Sequence, residues 1–275
     1  MIHEKQSLRY YMKLLLTIFF LCTSFILLGQ SIEHSFRSFD GVKIAYSDEG
    51  SGEPVLLIHG FIQSGNSWNG TVVKKALIDA GYRVIVPDLR GNGKSDKPQN
   101  PDAYANHAEI KDLKALANHL KLTSFMAIGY SRGAIVLAKW LTQEERITKA
   151  VFGGMGLDFT NPAWGRRIMF ADAFSGRAKL TNETKGAVDY AKSIGADLKV
   201  LGFLQDYQPV TSINELKTIR IPVLVIAGDQ DHDNGDPTAL QTELPNGQLS
   251  IISGDHNNAS KGIEFSTAVI NFIQN

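Results

Sequence analysis

Short apolar runs recur along this chain with segments of helical period between them, and that alternation limits the fold more than any other feature. The runs are Val55 to Ile58, Arg83 to Val86, Phe125 to Ile128, Ala150 to Phe152, Val223 to Ala227 and Leu249 to Ile252. Each is too short for a buried helix and lacks the apolar–polar alternation of a half-buried strand, as expected of parallel strands covered on both faces. Between them, Ala103 to Leu120 places Ile110, Leu113, Leu116, Ala117 and Leu120 on one helical face, and Ala134 to Leu141 has the same period. Strands that return to a parallel sheet through helices define an α/β fold, a mostly parallel sheet flanked by helices. Ahead of this framework, residues Phe36 to Tyr46 alternate around Asp40-Gly41, which predicts an antiparallel hairpin with a tight turn.

One stretch breaks the alternation. Asp158 to Pro209 holds no strand-like run, yet contains Trp164, Ile168, Met169, Phe170, Phe174, Phe203 and Leu204. A structureless loop of that length is uncommon inside a compact domain, so the segment predicts a small helical lid inserted at about 158–209. Most of these residues should pack the lid itself, and a minority should face a ligand. Arg166, Arg167, Asp172 and Arg177 interrupt the apolar character, which favours cover over a small-molecule pocket rather than a lipid-facing surface.

The first thirty residues read differently. Lys5, Arg9 and Lys13 precede an apolar run from Leu14 to Leu28, followed by Gly29, Gln30 and Ser31, the layout of a secretory signal peptide. Export to a periplasmic or extracellular space is therefore expected. The run is about fifteen residues against the roughly twenty that a spanning helix needs, so membrane attachment is expected only if the segment is retained as an anchor. The single cysteine, Cys22, lies inside this run and reads as one more apolar residue, since Leu21 before it is a poor lipoprotein cleavage context. Residues 31–275, about 245 of the 275, form one domain large enough for a single core, with no cysteine to support a disulfide. Hydrophobic residues at 43% against 20% charged argue for a folded chain. The balance of 28 basic and 28 acidic residues, without a basic run, excludes nucleic acid as a partner. The sequence leaves the oligomeric state open.

Chemistry enters at Gly129-Tyr130-Ser131-Arg132-Gly133, which fits G-x-S-x-G and lies between an apolar strand and a helical segment. Outside that setting the pattern would be a glycine turn with a surface serine. Within it, Ser131 is a candidate nucleophile on a strained strand-to-helix turn. A serine hydroxyl needs a histidine to take its proton and a carboxylate to hold that histidine. Gly228-Asp229-Gln230-Asp231 follows one later strand and Gly254-Asp255-His256 the next, so strand ends would bring these groups to the rim where Ser131 stands. Asp229, Asp231 and Asp233 are all placed to serve as the acid. The alternative role for such residues is loop solvation or capping of a helix near Pro237.

This strand–turn–helix serine, with aspartate and histidine following in that order, resembles the α/β-hydrolase fold superfamily over nearly the whole chain from about Phe36 onward. The family's Gly-x-x-Asp falls on Gly228 to Asp231, so the resemblance implies a catalytic triad of Ser131, Asp231 and His256. His59-Gly60-Phe61 is similar to the family's His-Gly segment, which implies an oxyanion hole from the backbone N–H groups of Phe61 and Arg132, with His59 structural. Pro87 to Ser95 is also similar to a family segment, one that commonly has histidine where Asn92 stands, and reads as a structural turn. Arg132 has two roles open to its side chain, a salt bridge on its own helix or a cation facing an anionic substrate group.

The resemblance implies hydrolysis of an ester-like bond in a small or medium-sized molecule, with lactonase, lipase, carbon–carbon bond hydrolase, acyltransferase and perhydrolase as relatives on the same triad. Serine at the elbow sets the chain apart from epoxide hydrolases and haloalkane dehalogenases, which the resemblance implies carry aspartate there. No cofactor is called for. His107, His119 and His232 have no second ligand at metal-binding spacing, so no metal is expected. A non-catalytic binding protein on the same scaffold is the alternative from another class.

Overall fold

The computed structural model describes residues 33–275, so the export segment expected at 1–30 lies outside the described residues. Among the described residues no helix is long and apolar enough to cross a membrane.

In chain order the elements are β1 (Glu33–Arg37), β2 (Lys43–Glu49), β3 (Pro54–Ile58), α1 (Val72–Asp79), β4 (Arg83–Pro87), α2 (Ala108–His119), β5 (Phe125–Tyr130), α3 (Arg132–Leu141) and β6 (Ile147–Gly153). Then follow α4 (Gly165–Ser175), α5 (Asn182–Ser193), α6 (Leu198–Asp206), α7 (Ile213–Leu216), β7 (Val223–Gly228), α8 (Pro237–Thr242), β8 (Gly247–Ile252) and α9 (Ile263–Gln274). The strands form one sheet in the order β1-β2-β4-β3-β5-β6-β7-β8. The β1–β2 and β2–β4 pairs are antiparallel and all the others are parallel.

The buried strands work as the continuous apolar runs imply, because alternate residues feed opposite faces. Leu56, Ile58, Phe125, Ala127, Val223 and Val225 join the core under α2, α3 and α8. Val55, Leu57, Met126, Ile128, Leu224 and Ile226 join the core under α1 and α9. Each fully buried aliphatic side chain contributes about 1.5–3 kcal/mol relative to exposure. The sheet therefore sits between two apolar layers.

Three sequence expectations need correction in detail. Arg37 pairs with Lys43, so the hairpin closes through a five-residue loop in place of a two-residue turn. Within it Gly41 takes a positive φ of 85°, and its N–H donates to the Ser38 carbonyl. The helix expected over 103–120 is divided, because Asn106 and His107 both take left-handed φ angles near 55° (54° and 58°) and separate α2 from a short turn at Pro101–Tyr104. β8 is an edge strand rather than a buried one, with Leu249 and Ile251 exposed. The lid is helical as expected, built of α4, α5 and α6 around Phe174, Val188, Ala191, Val200, Leu201 and Leu204.

The order of strands also locates the site. α1 leaves β3 toward one face and α3 leaves β5 toward the other, so the carboxyl ends of neighbouring β3 and β5 open a crevice between diverging chains. That is where ligands bind in open α/β sheets.

Candidate active site

Ser131 stands at this crevice with φ 54° and ψ −126°, a conformation that costs a non-glycine residue about 1–3 kcal/mol. Its N–H donates to the Gly153 carbonyl at 2.7 Å, which anchors the turn to β6. The flanking glycines are there because backbone occupies their side-chain space. A Cβ on Gly129 would meet the Gly133 carbonyl oxygen at 2.4 Å, and one on Gly133 would meet that of Ile58 at 2.3 Å. Gly133→Ala must therefore push α3 away from β3. We expect it to cost about 1–3 kcal/mol, read as a lowered urea midpoint with an unchanged m-value.

His256 follows β8 and Asp231 follows β7. His256 Nε2 lies 2.9 Å from Ser131 Oγ, and Nδ1 lies 2.8 Å from Asp231 Oδ2. With Nδ1 protonated toward the carboxylate, Nε2 is free to accept the serine proton. Asp231 is buried and the imidazole is largely shielded. The other two aspartates do different work. Asp229 Oδ1 accepts from the Gly254 N–H at 2.9 Å and, with Gln230 N–H donating to the Gly254 carbonyl, stitches the Asp231 loop to the His256 loop. Asp233 faces Arg166 at 3.2 Å on the lid. Capping of α8 falls to Asp236, whose carboxylate accepts from the Thr238 N–H.

The oxyanion candidates occupy adjoining positions. A Cβ on Gly60 would come within 3.3 Å of the Ser131 Cβ, so the segment after β3 passes directly beside the serine, and Phe61 lines the cavity there. Arg132 is the first residue of α3, where its N–H has no carbonyl within its own helix to bond. Its side chain takes the salt-bridge role: Nη1 and Nη2 donate to Glu109 at 2.8 and 2.6 Å, and both residues are buried.

His59 is structural. Its Nε2 accepts from the Leu89 N–H at 3.1 Å and its Nδ1 faces the Gly60 carbonyl at 2.9 Å, an arrangement that needs a neutral ring protonated on Nδ1. Burial pushes its pKa below the ordinary value. A histidine depressed in the fold binds fewer protons there than when unfolded. Stability from its neutrality is thus complete above an unfolded pKa of about 6.5 and is lost as pH falls below that value. We expect the urea midpoint to fall between pH 7.5 and 5.5, and to fall less in His59→Gln. Asn92 is also structural, donating to the Arg90 carbonyl at 3.1 Å.

Several site residues gave no sequence signal. The Tyr130 hydroxyl donates to the His256 carbonyl at 2.8 Å and fixes the backbone of that loop. Asn234 donates to the Gly154 carbonyl at 3.1 Å, with the same nitrogen 3.2 Å from His256 Nδ1. Above Ser131 is a cavity of about 620 Å³ whose lining includes Phe61, Trp164, Phe170, Gln205 and Gln208. Of the seven apolar lid residues singled out in the sequence, only Trp164 and Phe170 reach it.

Fold and site together define the class: the chain is an enzyme with the α/β-hydrolase fold. The family described as "alpha/beta hydrolase fold" matches residues 53–167. A non-heme haloperoxidase of Rhodococcus erythropolis is 28% identical over 252 residues, covering 78% of this chain and 89% of that protein. The crystal structure of a bromoperoxidase from Bacillus anthracis superposes with a TM-score of 0.71 at 27% identity, covering 89% of this chain and all (100%) of the other. Epoxide hydrolase 2 of Siraitia grosvenorii is 36% identical over 107 residues, 39% of this chain and only 33% of that protein. Solved esterases share the fold at lower identity.

Proposed function

We propose that this protein is a serine hydrolase that cleaves a carboxylic ester-like bond in a small or medium-sized molecule. The observation that carries the reading is the hydrogen-bonded line from Ser131 through His256 to Asp231, at 2.9 and 2.8 Å, with its serine on a strained turn at the floor of a cavity. Ser131 Oγ attacks the carbonyl carbon while His256 Nε2 takes its proton, and Asp231 stabilises the imidazolium. Charge gathers on the former carbonyl oxygen, within reach of the Phe61 and Arg132 N–H groups, each such donor being worth about 10²–10³ in rate. The imidazolium then protonates the leaving alcohol, and an acyl-serine remains. Water, deprotonated by Nε2, attacks that acyl group, and the carboxylic acid leaves as Ser131 regains its proton.

The likeness to haloperoxidases over most of the chain favours one further acceptor. Hydrogen peroxide in place of water would convert the same acyl-serine to a peracid. The test of the primary reading is turnover of p-nitrophenyl esters from acetate to octanoate by wild type and Ser131→Ala, with peracid scored when peroxide is added. We expect turnover by wild type and a loss of at least about 10⁴-fold in the variant. A variant as active as wild type would place the chemistry elsewhere.

A further inference from the structure

Of the carboxamides that line the cavity, Gln63 and Asn257 are exposed and Asn234 is bonded to backbone, whereas Gln205 and Gln208 are buried and have no part in the proposed hydrolytic steps. Gln205 lies near the C-terminal end of α6 and Gln208 just beyond it. Each is only 5% exposed, and both line the cavity. Neither side chain has a hydrogen-bond partner among the described residues, whereas the buried amide of Asn234 is bonded to the Gly154 carbonyl. Buried polar groups are ordinarily paired, because removal from water without a partner is costly. The polar atoms of neither glutamine are sealed from solvent, so both open on the cavity. A ligand that displaces the water there must replace its hydrogen bonds, and two carboxamides without protein partners facing one cavity therefore point to a partner that arrives from outside the fold.

Their position is held by the same residues that hold the nucleophile. Arg132 Nη2 donates to the Leu204 carbonyl at 2.8 Å, and this guanidinium is itself gripped by Glu109. The end of α6 is thereby tied to the residue beside Ser131. Val200, Leu201 and Leu204 on α6 pack into the lid core, so the helix cannot turn its glutamines away without exposing that face.

We infer that Gln205 and Gln208 bind substrate, and that the substrate is an ester with an additional hydrogen-bonding oxygen, a hydroxyl or a carbonyl, on its acyl or its alcohol part. This rests on the serine-hydrolase reading of the same cavity. A carboxamide both donates and accepts, which suits an oxygenated substituent and is wasted on an alkyl chain. An all-alkyl substrate would cover both groups and leave them unpaired, and a site built for hydrogen bonding rejects an analogue lacking the polar group far more strongly than an apolar pocket rejects an added hydroxyl.

The test compares kcat/KM for ethyl butanoate, ethyl 3-hydroxybutanoate, ethyl 3-oxobutanoate and 2-hydroxyethyl butanoate in wild type, Gln205→Leu and Gln208→Leu. The near-isosteric Gln205→Met and Gln208→Met replace any leucine variant whose thermal melt shows that it does not fold. We expect wild type to prefer at least one oxygenated ester by about tenfold or more, with each variant reducing that preference to within about twofold. The 3-substituted and 2-hydroxyethyl arms distinguish recognition on the acyl side from recognition on the alcohol side. Equal rates on all four esters, or a preference that survives both substitutions, overturns the inference and leaves ester hydrolysis intact. A folded wild type that hydrolyses the p-nitrophenyl esters but none of these four overturns the inference alone, and one that hydrolyses neither set overturns ester hydrolysis and the inference with it.

Discussion

Asp231→Asn should lower kcat by about 10⁴ while leaving the melting temperature close to that of wild type. The carboxamide fills the same space, but its NH₂ can face His256 Nδ1 and favour the tautomer with the proton on Nε2. That nitrogen, 2.9 Å from Ser131 Oγ, would then have no lone pair for the serine proton. Steady-state kinetics on the best p-nitrophenyl ester, with calorimetry as the folding control, reads both quantities. Asp229→Asn and Asp233→Asn separate this role from mere proximity. Asp229 joins loops through Gly254, and Asp233 makes an exposed pair with Arg166, so each should change kcat by less than about tenfold. A loss smaller than tenfold in Asp231→Asn would mean that the carboxylate does not hold the imidazole.

The largest stability effect should come from Asp112→Ala. Arg90 is 0% exposed, and its Nε and Nη2 donate to the Asp112 carboxylate at 2.6 and 2.7 Å beneath the turn after β4. Asp40 supplies a second carboxylate at 2.9 Å from the partly solvated hairpin loop. Removing Asp112 leaves the buried Nε without a partner and Nη2 with only Asp40 Oδ1 at 3.3 Å, while Nη1 keeps Asp40 and the Ala103 carbonyl. Loss of the one fully buried counter-charge costs about 3–5 kcal/mol. For a domain of this size that lowers the melting temperature by roughly 6–20 °C. Differential scanning calorimetry checks it, and the double change Arg90→Met with Asp112→Leu should recover part of the loss because no buried charge remains. A single variant melting within about 2 °C of wild type would show that Asp40 and solvent suffice for Arg90.

The sheet and the principal site residues were legible in the sequence for one physical reason. Strands buried on both faces must be apolar throughout, and the first polar residues after them stand at the rim of the sheet. Ser131 follows β5 directly, and Asp231 and His256 lie three and four residues beyond β7 and the edge strand β8, so the three converge on one rim once these strands run parallel in one sheet. The divided helix at Asn106 and His107 was not legible, since two consecutive left-handed residues arose there without a glycine. Exposure of Leu249 and Ile251 was hidden for a different reason, because apolarity reports a strand but not its place at the edge of the sheet. Gln205 and Gln208 lie among polar and apolar lid residues with nothing local to mark them. Their significance depends on Leu204 being bonded to Arg132, a contact between residues 72 positions apart.

The role of Ser131 as a nucleophile is tested most directly by incubating folded protein with a fluorophosphonate and locating the adduct by peptide mass spectrometry. One adduct, on the peptide that holds Ser131 and absent from Ser131→Ala, is the expected result. An unlabelled wild-type protein, or an adduct that survives the substitution, would contradict the serine-hydrolase mechanism and favour a binding protein on the same scaffold.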